Sequence, residues 1–279
     1  MTQNTMNFSV IVVSNNDEIL ETTLLVSPDL KDGIEIVIER NAISAAVGYN
    51  AGIKRSRGDI LVFVHQDAYL PKGWFDQILQ AVDFLNMKES CWGVLGVYGR
   101  QLNGTGYGHL YSTGLGTILG EPVTSPISIQ TLDEVVLVVR RSNGLWFDEK
   151  LPGFHLYGAD ICLEARQRGL TCHVVEAFCI HNSRGITFLP WAYWQAWLYI
   201  RRKWWHELPI MTPTLQVTRF GVAALRYLIQ SLIIRPSLFH KHQHSIGQRT
   251  KDPDALWKKL CSKDPNYPFF LSLKSHNKN

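Results

Sequence analysis

The sequence predicts an α/β protein: a mixed, mostly parallel sheet flanked by helices, followed by a C-terminal helical appendage. Three observations predict it. Short apolar runs rich in β-branched residues, FSVIVV at 8–13, IEIVI at 34–38 and ILVFV at 60–64, read as strands buried on both faces. Segments with helical spacing lie between them, the alternation that builds a parallel sheet with crossover connections. Charge and aromatic content then change near residue 190. Residues 1–190 carry 14 Lys and Arg against 20 Asp and Glu, whereas residues 191–279 carry 14 against 4 and include Trp191, Trp194, Trp197, Trp204 and Trp205. The expected organisation is therefore a first unit at 1–190 and a basic, aromatic-rich helical region at 191–279.

Taken in order, the strand at 8–13 ends at Ser14-Asn15-Asn16, and Ile19, Leu20, Thr23 and Leu24 give helical spacing over 18–27. The strand at 34–38 ends at Glu39-Arg40-Asn41, and a second helix is expected over 44–55. Gly58-Asp59 turns into the strand at 60–64, after which Pro71 and Gly73 break the chain. A helix from Trp74 to about residue 86 and a strand at 92–98 follow. Residues 100–120 are dense in glycine and polar residues and read as a long mobile loop, with Gly104, Gly106 and Gly108 as a flexible flap. A strand at 132–139, a helix at 160–168 with Asp160 as N-cap and Gly169 as stop signal, and a last strand at 171–178 ending near His181 complete the first unit.

Composition excludes several classes. With 46% hydrophobic and 19% charged residues, the chain is an ordinary folded protein rather than a disordered one. The polar N-terminus lacks a secretory pattern, and the most apolar stretch, 220–234, is interrupted by Arg226 and Gln230 and is too short to span a bilayer. Five cysteines without paired-ligand spacing suit reduced thiols and a cytoplasmic location. The basic, tryptophan-rich C-terminal region suits either packing against the first unit or peripheral contact with an anionic membrane. No nucleic acid is expected as a partner. His240, His242 and His244 read as a solvated basic run.

Open α/β sheets bind ligands outside the carboxyl ends of their strands. Asn15, Glu39, His65, Asp67 and His181 all fall at such ends. In extended chain, alternate residues point to the same side, so His65 and Asp67 can share one ion. A doubly wound oxidoreductase is disfavoured, because the first strand is not followed by the glycine fingerprint of a dinucleotide site.

The stretches SVIVVSNN, SAAVGYNAGIKRSRGDILVFVHQD, FDEKLPGFHLYGADICLEARQRG and FCIHNS, in this order over about residues 8–185, resemble the glycosyltransferase family 2-like group, which has the GT-A fold. The form of the third strand's end resembles a bacterial subgroup in which His-Gln-Asp replaces Asp-x-Asp. The resemblance implies an inverting hexosyltransferase that moves a sugar from a nucleotide-diphosphate donor to a hydroxyl of a glycan, lipid-linked or small-molecule acceptor. It implies Mn²⁺ or Mg²⁺ as cofactor, held by His65, Asp67 and His181. Asn15, Glu39, Asn50, Gln66 and Asp67 would contact the nucleotide sugar, and Asp160 would be the general base. Tyr49 stands where the family usually has Arg, so a phosphate contact must come from elsewhere. Ala159 stands where the base usually has an acidic neighbour. With His65, these departures leave a second reading, a catalytically degenerate nucleotide-sugar binding protein. Trp146 and His155 are candidates for lining a sugar pocket.

Overall fold

The structure is a computed structural model that describes residues 6–31, 33–88, 91–185, 189–229 and 247–263. Its centre is a seven-stranded sheet in the order β10-β13-β5-β12-β3-β1-β2. The strands that position the site are β1 (Phe8–Ser14), β2 (Glu35–Arg40) and β3 (Ile60–His65), which run parallel, β1 in the middle. β5 (Trp92–Gly96) and β13 (Thr171–Val174) share their direction, whereas β10 (Ile127–Ser128) and β12 (Val136–Arg140) oppose it. The sheet is thus mixed and mostly parallel, as expected.

The sheet interior follows from composition. Every residue of β3 from Ile60 to Val64 is buried, so its alternate side chains feed the hydrophobic clusters on both faces. Burying each such aliphatic side chain contributes roughly 1.5–3 kcal/mol. On one face lies α2 (Ala45–Arg55), whose Ser44 caps the helix by accepting from Val47 N–H. Its Gly48 and Gly52 let the helix approach β1: a Cβ on Gly52 would lie 2.2 Å from Ile11 Cγ2. The other face is covered by α3 (Trp74–Lys88) through Trp74, Ile78, Val82 and Leu85.

Four expectations need correction. The helix expected over 18–27 is shorter, with α1 (Asp17–Ile19), capped by Asn16, running on as a π-helical stretch at Leu20–Leu24. Residues 100–120 are not a long loop: β6 (Tyr98–Arg100), β7 (Gly106–Gly108), β8 (Leu110–Ser112) and β9 (Thr117–Leu119) build two small sheets there with β11 (Thr131–Leu132), β4 (Ala68–Tyr69) and β14 (Cys179–His181). Strands of three residues are too short to show an alternating pattern. The strand expected at 171–178 is two, β13 and β14, in different sheets. Asp160 is not a helix cap, because α4 spans Tyr157–Gln167 and begins after Leu156, a non-glycine residue at φ 64°.

Beyond residue 190 come α5 (Trp191–Lys203), α6 (residues 222–229) and α7 (Pro253–Lys263). Tyr193, Trp194, Trp197, Ile200 and Trp204 lie in the same hydrophobic cluster as Ile11, Phe63 and Leu137. The tryptophans of this region therefore mostly pack against the sheet. His240, His242 and His244 lie outside the described residues.

Candidate functional site

Because β1 and β3 are in register with Val13 opposite His65, both chains leave the sheet side by side. Gln66 joins these ends. Its Oε1 accepts from Ser14 Oγ at 2.8 Å and from the N–H groups of Asn15 and Asn16 at 3.1 Å each, and its Nε2 donates to Asn15 Oδ1 at 2.7 Å. The turn carries the chain through Asp67 into β4, which pairs with β14 so that His181 lies opposite Ala68. Asn182 N–H donates to the Asp67 carbonyl at 2.7 Å. Pairing of two- and three-residue strands thus carries His181, far away in the chain, to the side of Asp67.

The result is a trio whose ligating atoms all lie within 4.8 Å of one another. Asp67 Oδ1 is 3.4 Å from His181 Nε2 and 3.9 Å from His65 Nδ1. Burial works against ionisation of Asp67, but hydrogen bonding and charge from His181, with smaller contributions from His65 and Arg249, hold its carboxyl well below the usual range. Burial lowers the pKa of His65 to about 4, outweighing the pull of Asp67. His181 is also buried, yet the Asp67 carboxylate raises its pKa above the ordinary value.

His65 is tethered by its neighbours. Its Nε2 lies 2.7 Å from the Tyr157 hydroxyl, which also has the Glu134 carbonyl within reach at 3.1 Å. When the hydroxyl donates to that carbonyl it accepts from Nε2, and Nδ1, 3.9 Å from Asp67 Oδ1, is left as the ligating atom. Two imidazoles and one carboxylate form a donor set that suits Mn²⁺ better than Mg²⁺, and the Tyr157 contact orients the His65 ring from behind. The residues present fit a divalent cation.

These groups line a crevice of about 410 Å³. Of the expected site residues, Asn15, His65, Gln66, Asp67 and His181 meet there, and His155 lines the same wall. Four others are placed elsewhere. Glu39 pairs with Arg55 at 2.7 Å. Asn50 is buried and clasps Phe147 through both backbone groups, at 2.9 and 3.0 Å, so it fixes a loop rather than facing a ligand. Asp160 is 2% exposed, and its carboxylate is held by Lys203 Nζ at 2.9 Å and by Trp204 Nε1 at 2.6 Å. It anchors the end of α5 and does not line the crevice. Trp146 is 43% exposed, outside the crevice, with Lys54 over its ring.

Sequence reasoning missed Tyr49, Tyr157, Arg184 and Arg249, all of which line the crevice. Tyr49 is buried, with its hydroxyl 3.4 Å from both the Val64 carbonyl and the Tyr157 hydroxyl. Only the FHLYGAD stretch hinted at Tyr157. Nothing local marked Arg249, which lies in the C-terminal region, 3.4 Å from Asp67 Oδ2.

Comparison with known proteins agrees with this architecture. GalNAc-T7, whose crystal structure is described with UDP, GalNAc and Mn²⁺, superposes with a TM-score of 0.53 at 12% identity, over 74% of this chain and 49% of that one. A curated protein of Fuscovulum blasticum, described as ATP synthase subunits region ORF 6, is 28% identical over 140 residues, 48% of this chain and 55% of that protein. The chain thus spans about half the length of each. The fold is the GT-A fold. A family model described as "Glycosyltransferase like family" matches residues 9–193, two thirds of the sequence, and the chain belongs to that family.

Proposed function

We propose that the protein is a metal-assisted glycosyltransferase that takes a sugar from a nucleotide-diphosphate donor and transfers it, with inversion, to an acceptor hydroxyl of a glycan, lipid-linked or small-molecule substrate. The observation that carries this reading is the convergence of His65, Asp67 and His181 at the carboxyl ends of β1 and β3, in a crevice that also receives Arg184 and Arg249. GalNAc-T7, similar in fold, is described with a uridine nucleotide and Mn²⁺, which supports the same ligand classes here.

A divalent cation at this trio would supply Lewis-acid stabilisation of the leaving diphosphate. The chain's own residues do the rest. Asp67 would provide the anionic ligand, and His65, oriented by its 2.7 Å contact with the Tyr157 hydroxyl, and His181 would complete the set. Burial lowers the pKa of His155, which favours the neutral imidazole, the form that can accept a proton from an acceptor hydroxyl.

The second reading, a degenerate nucleotide-sugar binding protein, is favoured by one observation. The family-position carboxylate, Asp160, is engaged by Lys203 and Trp204, and its neighbour is Ala159. Calorimetry with UDP-, TDP- and GDP-sugars, with and without Mn²⁺, combined with a donor-hydrolysis assay, separates the two. Metal-dependent binding with slow hydrolysis supports the transferase. Binding with no turnover supports the second reading, and no binding refutes both.

We also propose peripheral contact with an anionic membrane. Among the described residues no helix is long and apolar enough to cross a membrane. Phe220, Val222 and Leu225 are nevertheless exposed, and Arg219, the residue before Phe220, lies with Arg201 over the ring of Trp205. Apolar side chains beside arginines suit a headgroup interface.

A further inference from the structure

Residues 247–263 form a strap that crosses beside the crevice and is tied down along its length. Its first fixed point is Gly247, whose N–H donates to the Gly114 carbonyl at 3.1 Å. A Cβ there would lie 1.6 Å from the Thr113 carbonyl oxygen, so only glycine fits. Next comes a reciprocal pair: Thr250 N–H donates to Asn182 Oδ1 at 2.8 Å, and Asn182 Nδ2 donates to the Thr250 carbonyl at 2.9 Å. Beyond it, Tyr69 hydroxyl donates to Asp254 Oδ1 at 2.8 Å, and Trp257 packs on Phe178 with centroids 4.9 Å apart. These contacts fix the strap to the strand ends that carry Asp67 and His181.

Between the first two fixed points sits Arg249. Its Nε donates to the Asn182 carbonyl at 3.0 Å, which orients the guanidinium, and Nη2 lies 3.4 Å from Asp67 Oδ2. That separation is longer than the 2.7–2.9 Å of a well-formed charge-assisted bond. Nη1 makes no hydrogen bond among the described residues. A guanidinium held from behind, on a crevice wall, with its fork incompletely used, is arranged for a second anionic partner. Once a cation pairs with Asp67, the guanidinium is free for that partner. Tyr49, buried on α2, supplies no charge. Of the two arginines lining the crevice, Arg184 is exposed, whereas Arg249 is fixed against the metal-ligand candidates.

We propose that Arg249 binds the diphosphate of the nucleotide donor, making the C-terminal strap part of the donor site. The proposal rests on the nucleotide-sugar reading of the crevice. It assigns a substrate contact to a residue outside the stretch matched by the family.

The test is calorimetry with Mn²⁺ on the full chain and its R249Q and G247A variants, first with UDP, TDP and GDP, and then with the monophosphate of the tightest binder. Replacing a charge-assisted contact predicts a loss of about 10–100-fold for the diphosphate in R249Q, with less than about threefold for the monophosphate. Affinity for Mn²⁺ alone should stay the same or tighten, because a competing cation leaves Asp67. G247A, which displaces the strap without altering a crevice side chain, should reproduce the diphosphate loss, and it serves as the test if R249Q does not fold. Wild-type protein that binds no nucleoside diphosphate refutes the nucleotide-sugar reading and this proposal with it. Tight wild-type binding that R249Q leaves unchanged, or an equal loss for the monophosphate and for Mn²⁺, refutes this proposal alone.

Discussion

Lys203→Met offers the sharpest test of what Asp160 does. Lys203 Nζ lies 2.8 Å from Asp148, 2.9 Å from Asp160 and 2.9 Å from Glu164, so one ammonium serves three carboxylates. Asp148 and Glu164 keep 20% and 25% of their side-chain surface and can rehydrate, but Asp160 keeps only 2%. Stranding a buried charge costs about 3–5 kcal/mol, and partial rehydration of the other two places this variant near the lower figure. For a protein of this size, about 3 kcal/mol corresponds to a melting temperature lowered by about 6–12 °C. The deficit should depend on pH. Burial already raises the pKa of Asp160 against the pull of Lys203, and removal of Lys203 raises it further. A folded state that binds the proton more tightly than the unfolded chain is fully stabilised below the ordinary carboxylate pKa, and it loses that stability as pH rises through the folded value. The gap from wild type should therefore be small near pH 4.5 and widen toward pH 8 in thermal melts. The companion variant Asp160→Asn keeps an oxygen for Trp204 and should retain donor hydrolysis within about threefold, since loss of a true general base costs roughly 10²–10⁴-fold. A Lys203→Met protein that melts within 2 °C (about 0.5–1 kcal/mol) of wild type, or an Asp160→Asn protein that is stable and catalytically dead, would refute the anchoring role.

Other outcomes follow from the crevice and the surface. Asp67→Ala removes the anionic ligand, and Mn²⁺-dependent nucleotide binding by calorimetry should fall at least about 100-fold. His65→Asp restores a second carboxylate, so the ratio of Mg²⁺ to Mn²⁺ affinity should rise by roughly tenfold; an unchanged ratio would show that residue 65 is not a ligand. The raised pKa of His181 makes protons compete with the ion, so Mn²⁺ affinity should weaken about tenfold per pH unit below that pKa and level off above it. Phe220→Ser with Leu225→Ser should lower partition into phosphatidylserine vesicles by about tenfold in a flotation assay while leaving nucleotide binding unchanged.

Long apolar strands were legible in the sequence because burial on both faces leaves a continuous signature, as in FSVIVV and ILVFV. The same physics made His65 and Asp67 visible, since polar ligands at the end of such a run have no packing role there. What stayed hidden depends on pairings between short elements. Asn50 and Asp160 have side chains suited to a ligand site, but each meets its partner, Phe147 or Lys203, only after distant segments fold together. Short strands β6 to β9 leave no period to detect, although they bring the Gly114 turn against the strap.

The largest gap concerns charge. A sequence records that the C-terminal region is basic, but not where its cations go, and an excess of arginine suits a membrane surface as well as a substrate. The fold divides these roles physically. Arg201 and Arg219 stack on Trp205 at the surface, while Arg249 is drawn to the crevice by the backbone of Asn182. Asn182 follows His181 directly, so the residue that secures the strap also fixes the strand that presents a metal-ligand candidate. Weakening that single asparagine should therefore impair ion and diphosphate binding together, whereas Arg249→Gln should separate them.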